Sequence, residues 1–456
     1  MRSGHRIVAA LALVGLVSAI AASSAAAADW TRFRGPNGSG IAADEKPLPE
    51  SWGPSKNLKW KRELPGPGAS SPIVVGDRIF VTAWSGYGVD RGGSGDQKDL
   101  RRHLVCIDRQ TGDIKWTKTV EPDLPEDRYA SMFAENGYAS HSPVSDGQRV
   151  YVFFGKTGVL AYDLEGNQLW HKKVGSGLDP RNWGSASSPI LYKNLLIITA
   201  SAESKSLIAL NKETGEEVWK KTADGLAGVW GTPVLVEIDE NRTDLVLAVP
   251  NEIWGFNPDT GKFVWYCLAM RNNSYCSSLV AENGIVYAIE SMGGGSIAVR
   301  AGGEGDVTDT HVVWSGRDNS RIATPLVHEG RIYFVARNVA NCLDASDGSR
   351  VYRTPLTGGT ASPSGGGGGT RPAPGGFGGG GMRGQDYSSP VAAGGKVYYV
   401  SRSGDGYVYK LGDELEQISN NRLSDARGEE FVATPAVSDG ELFIRSSTHL
   451  YCIAEK

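Results

Sequence analysis

The sequence predicts an all-β chain and, within that class, an eight-bladed β-propeller of four-stranded antiparallel blades. Three observations lead there. A frame that opens on Ser or Thr and then Pro returns seven times, and an eighth time with Leu in place of the Pro, with an underlying period of about 45 residues, the size of one propeller blade. Glycine, at 60 residues, is roughly twice its average usage and gathers at turns. The final copy stops one strand short, while an unmatched strand of the missing type stands near the N-terminus.

Residues 1–28 read as a secretory signal peptide. Arg2 and Arg6 form its positive end, Ile7 to Ile20 its apolar stretch, and Ala26-Ala27-Ala28 a small-residue cleavage site before Asp29. A retained membrane anchor is the competing reading, weakened by the Ala/Ser-rich second half. No Cys precedes Cys106, so no lipidation site lies at the cleavage point. The mature chain is expected to be soluble, without a membrane span, and periplasmic or secreted. Removing Arg2 and Arg6 from the 47 basic residues leaves 45 against 51 acidic ones, a formal net charge of -6. With no basic run, nucleic acid is not the expected partner.

Residues 29–56 form an N-terminal arm, and the propeller is expected over 57–456. "NLKWKREL" (Asn57 to Leu64) is similar to "DIKWTKTV" (Asp113 to Val120), a fourth strand lacking its predecessors, whereas "HLYCIAEK" (His449 to Lys456) is a third strand with nothing after it. The first strand should therefore complete the last blade and close the ring. Closure leaves no open sheet edge, and a monomer is expected.

The copies begin at Pro72, Pro143, Pro189, Pro233, Leu279, Pro325, Pro390 and Pro435, Leu279 keeping the frame without its Pro. Stretches such as "PIVVGDRIFVTA" (Pro72 to Ala83) read as two strands joined by a tight turn. A third strand then runs into an Asp/Asn-x-x-Thr-Gly turn, in which the Asp or Asn side chain bonds the backbone and Gly takes the positive φ. The fourth strand carries a Trp at one fixed place: Trp116, Trp170, Trp219, Trp265 and Trp314. Such a ring can lie across the neighbouring blade and dock one sheet on the next. Copies six and seven carry Tyr352 and Ile418 near that place, so looser junctions are expected there.

Of five cysteines, Cys106, Cys342 and Cys452 share one third-strand position and read as small buried hydrophobes. Cys267 and Cys276 flank one loop and could bridge. The seven His, including His141 and His311, show no metal-ligand spacing. "GDVTD" (Gly305 to Asp309) and "DRGGSGDQKD" (Asp90 to Asp99) match no calcium loop and read as solvated loops. The Gly-rich run 358–384 cannot bury apolar surface and is expected to be a disordered insertion.

With its Ala-x-Asp-x-x-Thr-Gly-x-x-x-Trp frame, the chain resembles the pyrroloquinoline quinone (PQQ) repeat family of eight-bladed propellers, which includes BamB-like lipoproteins and quinoprotein dehydrogenases. The opening "DWTRFRGPNGSG" (Asp29 to Gly40) further resembles exported PQQ-binding-like propellers of planctomycete-type bacteria. The resemblance implies one of two functions. The first is a non-catalytic binding scaffold for a protein or small ligand on the funnel face. The second is a dehydrogenase of alcohols or aldoses that holds PQQ with calcium on the axis.

The residues that separate these readings should lie just upstream of each Pro, where loops converge. Tyr138, Trp183, Trp230, Tyr275, Tyr387 and Phe431 recur there with Arg181, Arg271, Arg317, Arg321 and Arg427, a collar suited to a planar anion. Trp183, Trp230, Arg317 and Arg321 are the candidate cofactor-binding residues; "WGS" at Trp183 and "WGT" at Trp230 resemble the Trp-Gly floor under the quinone in the dehydrogenases. Against that, the adjacent-cysteine pair and the calcium ligands of those enzymes are missing, and no catalytic base stands out among Asp318, Asp386, Glu429 and Glu430. The plainer reading is that these aromatics pack blade junctions. The expectation is an exported binding scaffold without catalytic or metal residues. A carbohydrate is a third class of partner, since Trp and Tyr faces on a rigid rim suit sugars.

Overall fold

The structure is a computed structural model that describes residues 29–43, 46–90, 95–129, 133, 137–179, 181–270, 275–290, 294–320, 322–359, 386–423 and 429–455. The expected signal peptide, Arg271, Arg321, Arg427 and nearly all of the Gly-rich run lie outside these residues.

Eight sheets surround a common axis as blades 1 to 8. Blade 1 shows the pattern: Ile73–Val75, Arg78–Ser85, Arg101–Asp108 and Ile114–Val120, each antiparallel to the next. The two middle strands of this blade are buried on both faces by neighbouring blades, whereas the outer strand is largely solvated, hence its lysines. Blade 8 is made of Ala436–Ser438, Glu441–Arg445, His449–Ile453 and, from the other end of the chain, Leu58–Glu63. The closing strand thus pairs as its sequence implies, with Arg62 opposite Leu450 and Trp60 opposite Cys452.

The turns and tryptophans interlock. Asp108, Asn211 and Asn257 each accept two turn N–H groups, at 2.8–3.2 Å. The indole N–H groups of Trp60, Trp116, Trp170, Trp219 and Trp314 donate to backbone carbonyls in the next blade, those of Arg109, Leu164, Lys212, Pro258 and Ala345, at 2.8–3.1 Å. Each ring also covers the turn glycine of that blade. At Gly215, where φ is +74°, a methyl group would sit 2.7 Å from Trp170. The turn Gly therefore serves twice, for its backbone conformation and as a flat seat for an indole.

Three junctions depart from this scheme, that after blade 6 by carrying the buried Tyr352 in place of the Trp, packed with Tyr399, Tyr407 and Tyr409 of blade 7. Trp265, fully buried between blades 4 and 5, donates instead to Asp244 Oδ2 of its own blade at 2.7 Å. Blade 5 has no Thr-Gly turn to receive it. The corresponding chain crosses back, and Gly305–Asp306 joins blade 4 as a fifth, parallel strand, followed by a helical turn at Thr308–His311. The "GDVTD" stretch is thus a strand and a turn, not a plain loop. In blade 7 the position opposite Val408 is Ser419, one residue beyond Ile418. The junction is nonetheless filled: Trp52 of the arm is buried over Gly406, stacks on Tyr398 at 6.4 Å, and takes its backbone N–H to Asn421 Oδ1.

Cys106, Cys342 and Cys452 are fully buried opposite Trp116, Tyr352 and Trp60. Burial pushes the Cys106 and Cys342 thiols up to about 12. No disulfide joins Cys267 to Cys276: Cys267 is buried in the junction of blades 4 and 5, and Cys276 faces the propeller axis. No described helix is long and apolar enough to cross a membrane.

Candidate functional site: an axial chamber

The Ser/Thr-Pro step of the repeat builds the centre of the molecule. Pro has no N–H and a fixed φ, so the innermost strand starts there. The Ser or Thr before it directs its own N–H at the hydroxyl of the same residue in the next blade. Ser71 donates to Ser142, Ser142 to Ser188, Ser188 to Thr232 and Thr232 to Ser278. Ser278 then donates to Thr324, Thr324 to Ser389, Ser389 to Thr434, and Thr434 back to Ser71. The circle closes with every distance between 2.9 and 3.1 Å.

Two residues further out, extended chain points side chains to the same side. One residue per blade therefore forms a second layer: Ala69, Ser140, Ala186, Trp230, Cys276, Ile322, Tyr387 and Val432. The two layers enclose a chamber of about 170 Å³. Phe133 and Trp183 border it as well, stacked on each other at 5.8 Å. Trp183 also meets Trp230 at 5.1 Å, and the Arg181 guanidinium lies over both indoles at 5.9 and 5.6 Å.

The arm closes the other end. Phe33 enters the chamber wall, and its neighbours clamp the inner strands. Arg34, fully buried, donates through Nη1 to the carbonyls of Thr324 and Pro390 and through Nη2 to Pro325 at 2.6 Å. Its remaining donors reach Gly38 and Ser39. Arg32 reaches Pro233, Asn37 bonds Leu235, and Trp30 pairs with Val74. The carbonyls at the Pro steps thus anchor an arginine with no carboxylate bonded to it among the described residues, and burial lowers the Arg34 guanidinium to about 9.

The segment carrying Trp183 is held from behind. Asp179 accepts the N–H groups of Arg181 and Trp183, both at 3.1 Å. Ser185 donates to Glu203 Oε1 at 2.5 Å, and burial pushes the Glu203 carboxyl up to about 7. Trp230 donates its indole N–H to Gly184 at 2.8 Å, tying the two tryptophans together.

Among the sequence candidates, Trp183, Trp230 and Tyr387 border the chamber. Tyr138, Tyr275 and Phe431 are buried elsewhere, Tyr275 and Phe431 in junctions between blades and Tyr138 in an aromatic cluster with Trp84 and Tyr129. Arg317 is exposed beside a separate pocket with Asp318, Asn319, Arg350 and Arg353, and Arg321 lies outside the described residues. His141 is buried against Phe153 at 4.4 Å, its basicity pushed down to about 3 by desolvation. Sequence reasoning missed the hydroxyl circle and the plug. The first was legible as the Ser or Thr that precedes the opening Pro, or Leu279, of each copy; the second left only the "RFRG" of the arm as a sign.

The fold and chamber define a propeller of tryptophan-docked repeats with a hydroxyl-lined axis. The family model described as outer membrane protein assembly factor BamB matches residues 51–177, 97–203 and 193–422, and the chain belongs to that family. In shape it is similar to BamB from Moraxella catarrhalis, with a TM-score of 0.56 and 12% identity over 87% of this chain and 98% of that one. It is similar also to the quinohemoprotein alcohol dehydrogenase of Comamonas testosteroni, with a TM-score of 0.61 and 11% identity over 94% and 81%. A third likeness is to the computationally designed Ika8 protein, with a TM-score of 0.51 and 11% identity over 85% and 98%. At such identities these likenesses concern the fold alone. No curated protein matches the sequence.

Proposed function

We propose that this chain is an exported, non-catalytic binding propeller that takes a small ligand into the axial chamber past Trp183. The supporting observation is the make-up of the wall: among the described residues bordering the chamber, none is charged and none is a carboxylate or imidazole that could serve as a base. PQQ carries carboxylates and is held with calcium, so it calls for counter-charges and several oxygen ligands. The described wall does not fit that group, and the described residues include no cluster of three metal-ligating side chains. The family description as an assembly factor makes a protein partner the other occupant to consider, met by the rim around the chamber. The chamber volume of about 170 Å³ favours a small molecule.

The test is to add PQQ and calcium to the purified chain, following its melting temperature and dye-linked oxidation of simple alcohols and aldoses. No turnover and no shift in melting are expected. Turnover that disappears in Trp183→Ala and Trp230→Ala would make the chain an enzyme.

A further inference from the structure

We infer that the ligand of the axial chamber is an uncharged cyclic polyol the size of one pyranose ring. This rests on the chamber being the binding site, and it follows from three properties of the wall. The first is charge. No charged side chain is among the described residues of the wall, so an ionised ligand would give up its hydration with no ion pair in direct contact, the Arg181 and Arg34 guanidiniums lying behind the tryptophans and in the floor.

The second is hydrogen-bond character. Each hydroxyl of the circle already accepts one N–H from the preceding blade, which leaves it one proton to donate and one lone pair to accept. An anion needs donors and a cation needs acceptors, but this band supplies both in equal number. The groups that match it are hydroxyls, each of which also donates once and accepts. Ser140 adds another such group in the upper layer.

The third is shape. Above the polar band stand Trp183, Trp230 and Tyr387, with Ile322 and Val432 also in the wall and Phe33 beneath. A sugar ring has this same division, polar at its edge and apolar on its C–H faces, and aromatic rings pack against those faces. A chamber of about 170 Å³ holds on the order of ten waters, or one ring. Because Phe33 and Arg34 close the floor, a chain of sugars cannot thread through; the site takes a free monosaccharide or a terminal residue.

The experiment titrates the full chain with glucose, galactose and mannose, with glucuronate as a charged analogue and with PQQ, reading tryptophan fluorescence and heat. At least one neutral sugar is expected to bind, glucuronate roughly tenfold or more weaker. Trp183→Ala, which removes a half-exposed ring, should weaken the neutral sugar by a similar factor. Ala186→Phe, which fills the chamber, should abolish binding while the melting temperature stays near that of the parent. Val218→Ser, on a solvated outer strand, should change nothing. Binding of glucuronate or PQQ alone, sensitive to Ala186→Phe, would overturn the neutral-polyol inference and keep the chamber as the site. Sugar binding indifferent to Ala186→Phe would remove the chamber reading itself. Silence of all neutral sugars up to tens of millimolar would also overturn the inference.

Discussion

Trp219 shows what a single residue does in this fold. Its indole is buried between blades 3 and 4, covers Gly261 and donates to Pro258 at 3.0 Å. Trp219→Ala removes a large apolar face and leaves a carbonyl unpaired, so a loss of about 3–5 kcal/mol is expected by chemical denaturation. A neutral result would mean that the indole is not docked. Glu203 acts in the opposite sense. Its carboxyl is raised from 4.5 to about 7 by burial, so the folded chain holds a proton that the unfolded chain releases earlier. The stability this proton supplies is complete below pH 4.5 and lost as pH rises through about 7. Relative to Glu203→Gln, the parent should therefore lose up to about 3 kcal/mol between pH 5 and pH 8. Parallel stability profiles for the two would show that Glu203 is not the titrating group.

At the scale of the element, the blades repeat because one set of local rules repeats. Turn chemistry, the Trp and the Ser/Thr-Pro step are all short-range, which is why blade number and closure could be read from the chain alone. What was not legible depends on distant segments. Arg34 meets carbonyls some 290 residues away, and no spacing rule announces that contact. Blade 7 looked loose because its own Trp is missing; Trp52 fills the junction from the arm. Trp265 carries the ordinary motif yet bonds Asp244, because the receiving turn lies in the next blade and is absent. The collar was half legible: alternation correctly brings Trp230 and Tyr387 to the axis, while Tyr275 turns into a junction. Trp52→Ala should lower stability by about 3 kcal/mol or more, as for other buried Trp. An unchanged melting temperature would show that the arm is dispensable to that junction.

For the whole molecule, the N-terminal segment closes the ring and floors the chamber. Leu58–Glu63 completes blade 8, and the arm before it reaches blades 1, 2, 4, 6, 7 and 8. Deleting residues 29–64 should expose His449–Ile453 as a bare edge and cause aggregation or cooperative loss of the fold. A monomeric truncated chain with the parental melting temperature would contradict the shared blade. The functional claim, that this closed propeller keeps an uncharged small molecule on its axis, is met most directly by purifying the chain from its native host and determining the mass and absorption of whatever it carries. A neutral polyol, or an empty chamber that fills with one, is the expected result. Stoichiometric PQQ with calcium would contradict it.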